Sequence, residues 1–104
     1  MARLPRQQHR LKVGWSLPEN ARLLLDDPAL KTRDRIELVV FAYREDHGGN
    51  SPSISEIASV LGLPRANVQR GIDDLILLER AERIDGKLMI ARSRCEELTR
   101  RLRR

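Results

Sequence analysis

The amino-acid sequence predicts a mainly α-helical fold with one small β-hairpin, on three observations. Helix start and stop signals bracket five stretches between residues 17 and 102. An abrupt glycine–proline corner, Gly62-Leu63-Pro64, divides two of them. The apolar period changes away from the helical one only around Asp85-Gly86.

The first stretch opens at Ser16, which with Glu19 has capping-box spacing and predicts a short helix from Leu17 to Asp26, ended with the help of Pro28. Thr32 is placed to cap a second helix, in which Ile36, Val39, Val40 and Tyr43 recur at helical spacing to about His47 before Gly48 and Gly49 stop it. Ser53 and Glu56 repeat the capping-box signal for a third helix carrying Ile57, Ala58 and Leu61 and ending at Gly62. Pro64 suits the first turn of a fourth helix, whose apolar stripe is Val68, Ile72, Leu75 and Ile76 and whose end falls near Glu79. Residues 81–90, AERIDGKLMI, set the favoured two-residue turn pair Asp85-Gly86 between two short runs, which predicts a β-ribbon. Ala91, Cys95, Leu98 and Leu102 then give a terminal helix one narrow apolar seam.

Two helices joined by three or four residues with a glycine in the turn form a helix-turn-helix, and a hairpin directly after the second helix makes it the winged variety. Ile57, Ala58, Leu61, Leu63 and Val68 supply apolar contacts between the two helices, and Gly71 is expected to let their backbones approach. On a helical wheel of about 100° per residue, Ala66, Arg70 and Asp73 stand opposite the apolar stripe, flanked by Asn67 and Gln69. Arginine can bond guanine O6 and N7 together, and asparagine or glutamine can do the same with adenine N6 and N7. A helix N-terminus can also receive a phosphate. Arg70 and Asp74, four residues apart, can pair and bound the contact region.

At 104 residues, 40% hydrophobic and 34% charged, the chain has the length and composition of one soluble folded domain. Its apolar runs, such as Leu38 to Tyr43, are too short to cross a bilayer, and no signal-peptide core follows the basic N-terminus. A cytoplasmic protein without a membrane partner is expected. The net charge of +5 divides unevenly. Residues 1–14 carry Arg3, Arg6, Arg10 and Lys12 and no acid, and residues 92–104 carry six arginines against Glu96 and Glu97, so each end is +4 while residues 15–91 are −3. Basic ends on a nearly balanced centre suit a polyanion, although arginine-rich ends also serve solubility alone. The organisation expected is a basic arm over residues 1–14, a winged helix-turn-helix domain with a short leading helix over residues 15–90, and an arginine-rich C-terminal helix over residues 91–104.

Residues 33–90 resemble the winged-helix DNA-binding domains of bacterial regulators. SPSISEIASVLGL is similar to the second helix of the LexA-type domain, and LGLPRANVQRGIDDL to the recognition helix of IclR and MarR-type regulators. The resemblance implies a DNA-binding transcription regulator whose third core helix reads the major groove. Carried onto this chain, Ser53 caps the support helix, Arg65, Asn67, Gln69 and Arg70 occupy recognition positions, and Arg83 and Lys87 flank the wing tip. Neither the self-cleaving domain of LexA, with its catalytic serine and lysine, nor a ligand domain of the IclR kind is expected.

Other constellations are sparse. His9 and His47 have no catalytic partnership in the sequence, adjacent pairs such as Asp26-Asp27 and Asp73-Asp74 diverge on a helix, and no phosphate-binding glycine loop or metal spacing occurs. No enzyme, cofactor, metal site or small-molecule ligand is expected. The lone Cys95 can form no internal disulfide. With Trp15, Phe41 and Tyr43 as the only aromatics, Phe41 and Tyr43 are expected in the core and Trp15 over the first helix, leaving no stacking platform for single strands. The seam of Cys95, Leu98 and Leu102 with an outward Leu77 suits either a homodimer contact or packing on the chain's own core. The function expected is a sequence-specific, double-stranded DNA-binding transcriptional regulator, a small repressor. The alternatives are a winged-helix protein–protein adaptor and a replication or recombination accessory protein of a mobile element.

Overall fold

The computed structural model describes residues 15–103. Arg3, Arg6, Arg10 and Lys12 lie outside the described residues. Five helices and one hairpin follow in the order α1 (Glu19–Leu25), α2 (Thr32–Asp46), α3 (Ile54–Leu61), α4 (Arg65–Leu77), β1 (Ala81–Ile84), β2 (Lys87–Ile90) and α5 (Arg92–Leu102). None of the helices is long and apolar enough to cross a membrane among the described residues.

The second helix is the centre of the packing. From Ile36 to Ala42 every residue of α2 is buried, so this segment has no solvent face and the other helices and β2 pack around it. Leu17 and Ala21 from the entry and α1, Ile57 and Ala58 from α3, Val68, Ile72 and Leu75 from α4, Ala81, Leu88 and Ile90 from the hairpin and Leu98 from α5 complete one core.

Local signals decide where the elements start. Ser53 caps α3 in both directions: its Oγ accepts from the Glu56 N–H at 3.1 Å, and its own N–H donates to Glu56 Oε1 at 2.7 Å. The other two expected caps differ. The residue before α1 is Pro18, not Ser16, and it makes no side-chain cap. At α2 the cap position is Lys31, whose N–H donates to Asp34 Oδ2 at 2.9 Å, and Thr32 is already the first helical residue. In both cases a residue with fixed or extended backbone stands one step before the helix, displacing the hydroxyl from the position where it could reach a free N–H.

The hairpin pairs Ala81 with Ile90 and Ile84 with Lys87, and its turn residues Asp85 and Gly86 have φ of 52° and 78°, as a two-residue turn with both residues left-handed requires. Between α4 and β1 the chain turns without a glycine. Glu79 takes φ of 61°, its N–H donates to the Ile76 carbonyl at 2.9 Å, and the Arg80 N–H donates to the Leu75 carbonyl at 2.8 Å. This is the Schellman pattern, with glutamate where glycine is usual.

Gly71 serves a contact other than the one expected. A Cβ built there would lie 2.2 Å from Ile36 Cδ1 and 3.7 Å from Arg33 Cα, so the missing side chain admits α2 rather than α3. Trp15 likewise packs away from the first helix: its ring meets Tyr43 edge-on at 5.1 Å, and its Nε1 donates to Asp46 Oδ2 at 3.0 Å. Tyr43 is half-buried beneath it, stacked on His47 at 3.8 Å, while Phe41 is in the core.

Because Ile36 is fully enclosed, Gly71→Ala should lose about 1–2 kcal/mol of stability even after the better helix propensity of alanine is counted. Adding Ile36→Val removes the colliding Cδ1. Denaturant unfolding of the two single variants and the double variant should therefore give a loss smaller than the sum of the singles. Strict additivity would contradict this assignment of the close approach.

Candidate nucleic-acid interface

Gly62 ends α3 in the left-handed conformation, with φ of 66° and ψ of 36°, and the Leu63 N–H donates back to the Ala58 carbonyl at 3.0 Å. Pro64 then stands at the cap of α4 with extended backbone, and the N–H groups of Asn67 and Val68 both donate to its carbonyl. Gly62, Leu63 and Pro64 are thus the whole corner.

Burial divides α4 by side. Val68, Gly71, Ile72 and Leu75 are buried, whereas Arg65, Ala66, Arg70, Asp73 and Asp74 are exposed and Asn67 and Gln69 are half-exposed. The four recognition candidates Arg65, Asn67, Gln69 and Arg70 therefore all reach the surface of one short helix segment. The expected Arg70–Asp74 pair does not form. Gln69 Nε2 donates to Asp73 Oδ1 at 3.0 Å, and Arg70 forms no ion pair among the described residues.

A second group of candidates gathers at the hairpin. Ser53, Arg83 and Lys87 line one crevice of about 440 Å3 together with Asn50, Ser51 and Gly86. Ser51 fastens that crevice, because its Oγ accepts from the Leu88 N–H and donates to the Leu88 carbonyl, each at 3.0 Å. The loop before α3 thereby caps the edge of β2. The α4 face and this crevice together present side chains that can bond base edges and phosphate oxygens.

The terminal seam is spent inside the protomer. Leu98 is only 3% exposed, and Cys95 and Leu102 are half-buried against the same core, so these three do not form a free dimer face; of that set only Leu77, 80% exposed, is outward. The seam is satisfied locally because Asn20 Nδ2 on α1 donates to the Leu102 carbonyl at 3.1 Å and Leu98 fills the space beside α2. Burial also pushes the Cys95 thiol above its ordinary range.

An ionic cluster was not legible in the sequence. Glu37, 1% exposed, accepts from Arg80 Nε at 3.2 Å and Nη2 at 2.7 Å, and from Arg94 Nε at 2.9 Å and Nη2 at 2.7 Å. Arg80 Nη2 also donates to Asp34 Oδ1 at 2.9 Å. The partners are 43 and 57 residues away along the chain, so no local spacing announces them. Burial is the largest single influence on Glu37 and by itself raises its pKa. The hydrogen bonds from Arg94 and Arg80, with their charges, outweigh it and hold the carboxyl below its ordinary range. Asp34 is lowered in the same way, against its burial, by the Lys31 N–H and Arg80.

No family profile matches the chain, and no curated protein or solved structure is significantly similar to it.

The cluster has a consequence for acid stability. A carboxyl whose pKa is lower in the folded than in the unfolded chain stabilises the fold above the unfolded value, and that stability is lost as pH falls through the folded one. Urea unfolding should show stability falling as pH drops below about 4.3, the ordinary value for glutamate. Glu37→Gln should cost about 3–5 kcal/mol at neutral pH, as loss of one partner of a buried pair does, and should flatten that acid dependence. An unchanged slope would contradict the assignment.

Proposed function

We propose that this chain is a sequence-specific, double-stranded DNA-binding transcriptional regulator, a small repressor, built as a winged helix-turn-helix. The observation that carries the reading is the division of α4: its apolar side is buried in the core while Arg65, Ala66 and Arg70 are exposed immediately after a three-residue corner. The hairpin that follows, with Arg83 and Lys87 exposed on its two strands, supports the wing of such a unit. In this reading α4 enters the major groove by its N-terminal turns, where no acidic residue lies in the first turn and the first N–H groups can meet phosphate. Asp73 and Asp74, exposed farther along, limit how deep the helix can sit, since deeper insertion would bring carboxylates against phosphates.

A protein–protein adaptor is favoured by a different observation. Leu77 is 80% exposed at the end of α4, and Leu78 and Ile84 are exposed as well. Large apolar side chains on the surface fit contact with a protein, including a second copy of this chain. An adaptor would bind a partner without affinity for duplex DNA.

A mobility-shift titration on random-sequence duplex at two salt concentrations separates these readings. Each phosphate contact should contribute roughly −0.9 to the log–log slope of affinity on salt, and a flat or absent response would overturn the DNA reading. After selection of bound fragments, Arg70→Ala should relax base preference at one position by about 1–3 kcal/mol. Lys87→Ala should weaken all sequences alike and lower the salt slope by about one contact.

A further inference from the structure

A hollow of about 550 Å3 lies between the entry stretch, α1, α2 and α3, within the range of roughly 300–1,000 Å3 typical of small-molecule sites. Its apolar wall is formed by Trp15, Leu17, Leu25 and Val60. The two charged side chains on its lining, Arg22 and Glu56, are not equivalent. Glu56 has both carboxylate oxygens engaged, accepting from the Ser53 N–H at 2.7 Å and from the Tyr43 hydroxyl at 3.2 Å. Arg22 spends one donor, Nη2, on the Leu17 carbonyl at 3.2 Å, is exposed, and forms no ion pair among the described residues. Glu56 keeps its negative charge but its oxygens already have donors, so the charged hydrogen-bonding group left for a ligand is the Arg22 guanidinium, at the edge of an apolar wall.

We propose that this hollow binds a small amphipathic carboxylate, with its anionic head on the Arg22 guanidinium and its apolar body against Trp15, Leu17, Leu25 and Val60. A guanidinium matches a carboxylate in planar, two-pronged geometry, which gives the charged end its orientation. Ser59, exposed on α3 at the same lining, offers a further hydroxyl donor to the head. Inorganic anions would gain the charge contact alone, and uncharged apolar molecules the wall alone. The inference does not rest on the DNA reading, and either can fail without the other.

Trp15 is the only tryptophan in the chain, so intrinsic fluorescence reports directly from the wall of the hollow. The probes are octanoate, octanol and octylamine, which share one apolar body and differ in charge, each below its aggregation limit and each followed by emission and by calorimetry. Octanoate should bind saturably and about tenfold or more tighter than the other two. Arg22→Gln should level the three, and Arg22→Lys should keep the preference for octanoate. Because Arg22 also holds the Leu17 carbonyl, a third variant guards against misfolding: Ser59→Phe fills the hollow, leaves Arg22 in place and should abolish binding of all three. Absence of saturable binding by both methods, equal binding of the three probes, tightest binding of octylamine, or a carboxylate preference that survives Arg22→Gln would each overturn the proposal.

Discussion

The placement of the hairpin and of the last helix against α2 depends on one buried carboxylate. Glu37 sits inside the central helix with almost no exposure, and an unpaired ionised group there would cost several kcal/mol. Two guanidiniums, from Arg80 and Arg94, must converge on it for the fold to be tolerable. Arg80 stands at the joint between α4 and β1, and Arg94 in the first turns of α5. One side chain thus fixes the placement of the hairpin and of the last helix against α2. Removing one partner would leave a buried charge unpaired, whereas an apolar replacement of all three partners could be equally stable.

The same joint explains a local strain. Glu79 is left-handed where a glycine would be relaxed, and the turn it makes delivers Arg80 to Glu37 and Asp34. Upstream, the absence of a side chain at Gly71 lets α4 lie close on Ile36 and Arg33 of α2. Together these contacts set the rotation of α4, and rotation is what decides which residues face outward. With Val68, Ile72 and Leu75 held inward, Arg65, Ala66 and Arg70 have only solvent to face. In the proposed reading, then, the functional surface is a by-product of how tightly the opposite side is gripped.

Much of this was legible in the sequence where the cause is local. The Ser53–Glu56 cap, the Gly62 stop and the Asp85-Gly86 turn each act within a few residues, and each stands where spacing and composition put it. What escaped is set by distant neighbours. Glu37 reads as one more polar residue of a helix until residues 80 and 94 arrive beside it. Gly71 signals a close approach without naming the partner, and Trp15 signals apolar cover without saying over what. The Ser16 and Thr32 caps failed for a narrower reason: Pro18 and Lys31 take the cap positions, so each hydroxyl stands one or two residues away from the place where a cap bond is made. The seam of α5 was periodic enough to read, but period alone does not distinguish a face turned to a partner from one turned to α1 and α2.

The central claim is that the outward side of α4, with the corner behind it and the hairpin after it, is the surface that meets duplex DNA. Amide chemical-shift mapping of the isotope-labelled protein during titration with a short random-sequence duplex tests it most directly. The account predicts that the largest perturbations cluster on residues 64–70, on the start of α3 around Ser53, and on residues 83–87, with α5 little affected. Saturable DNA binding that instead perturbs chiefly α1 and α5, or spectra unchanged by duplex at low salt, would contradict it.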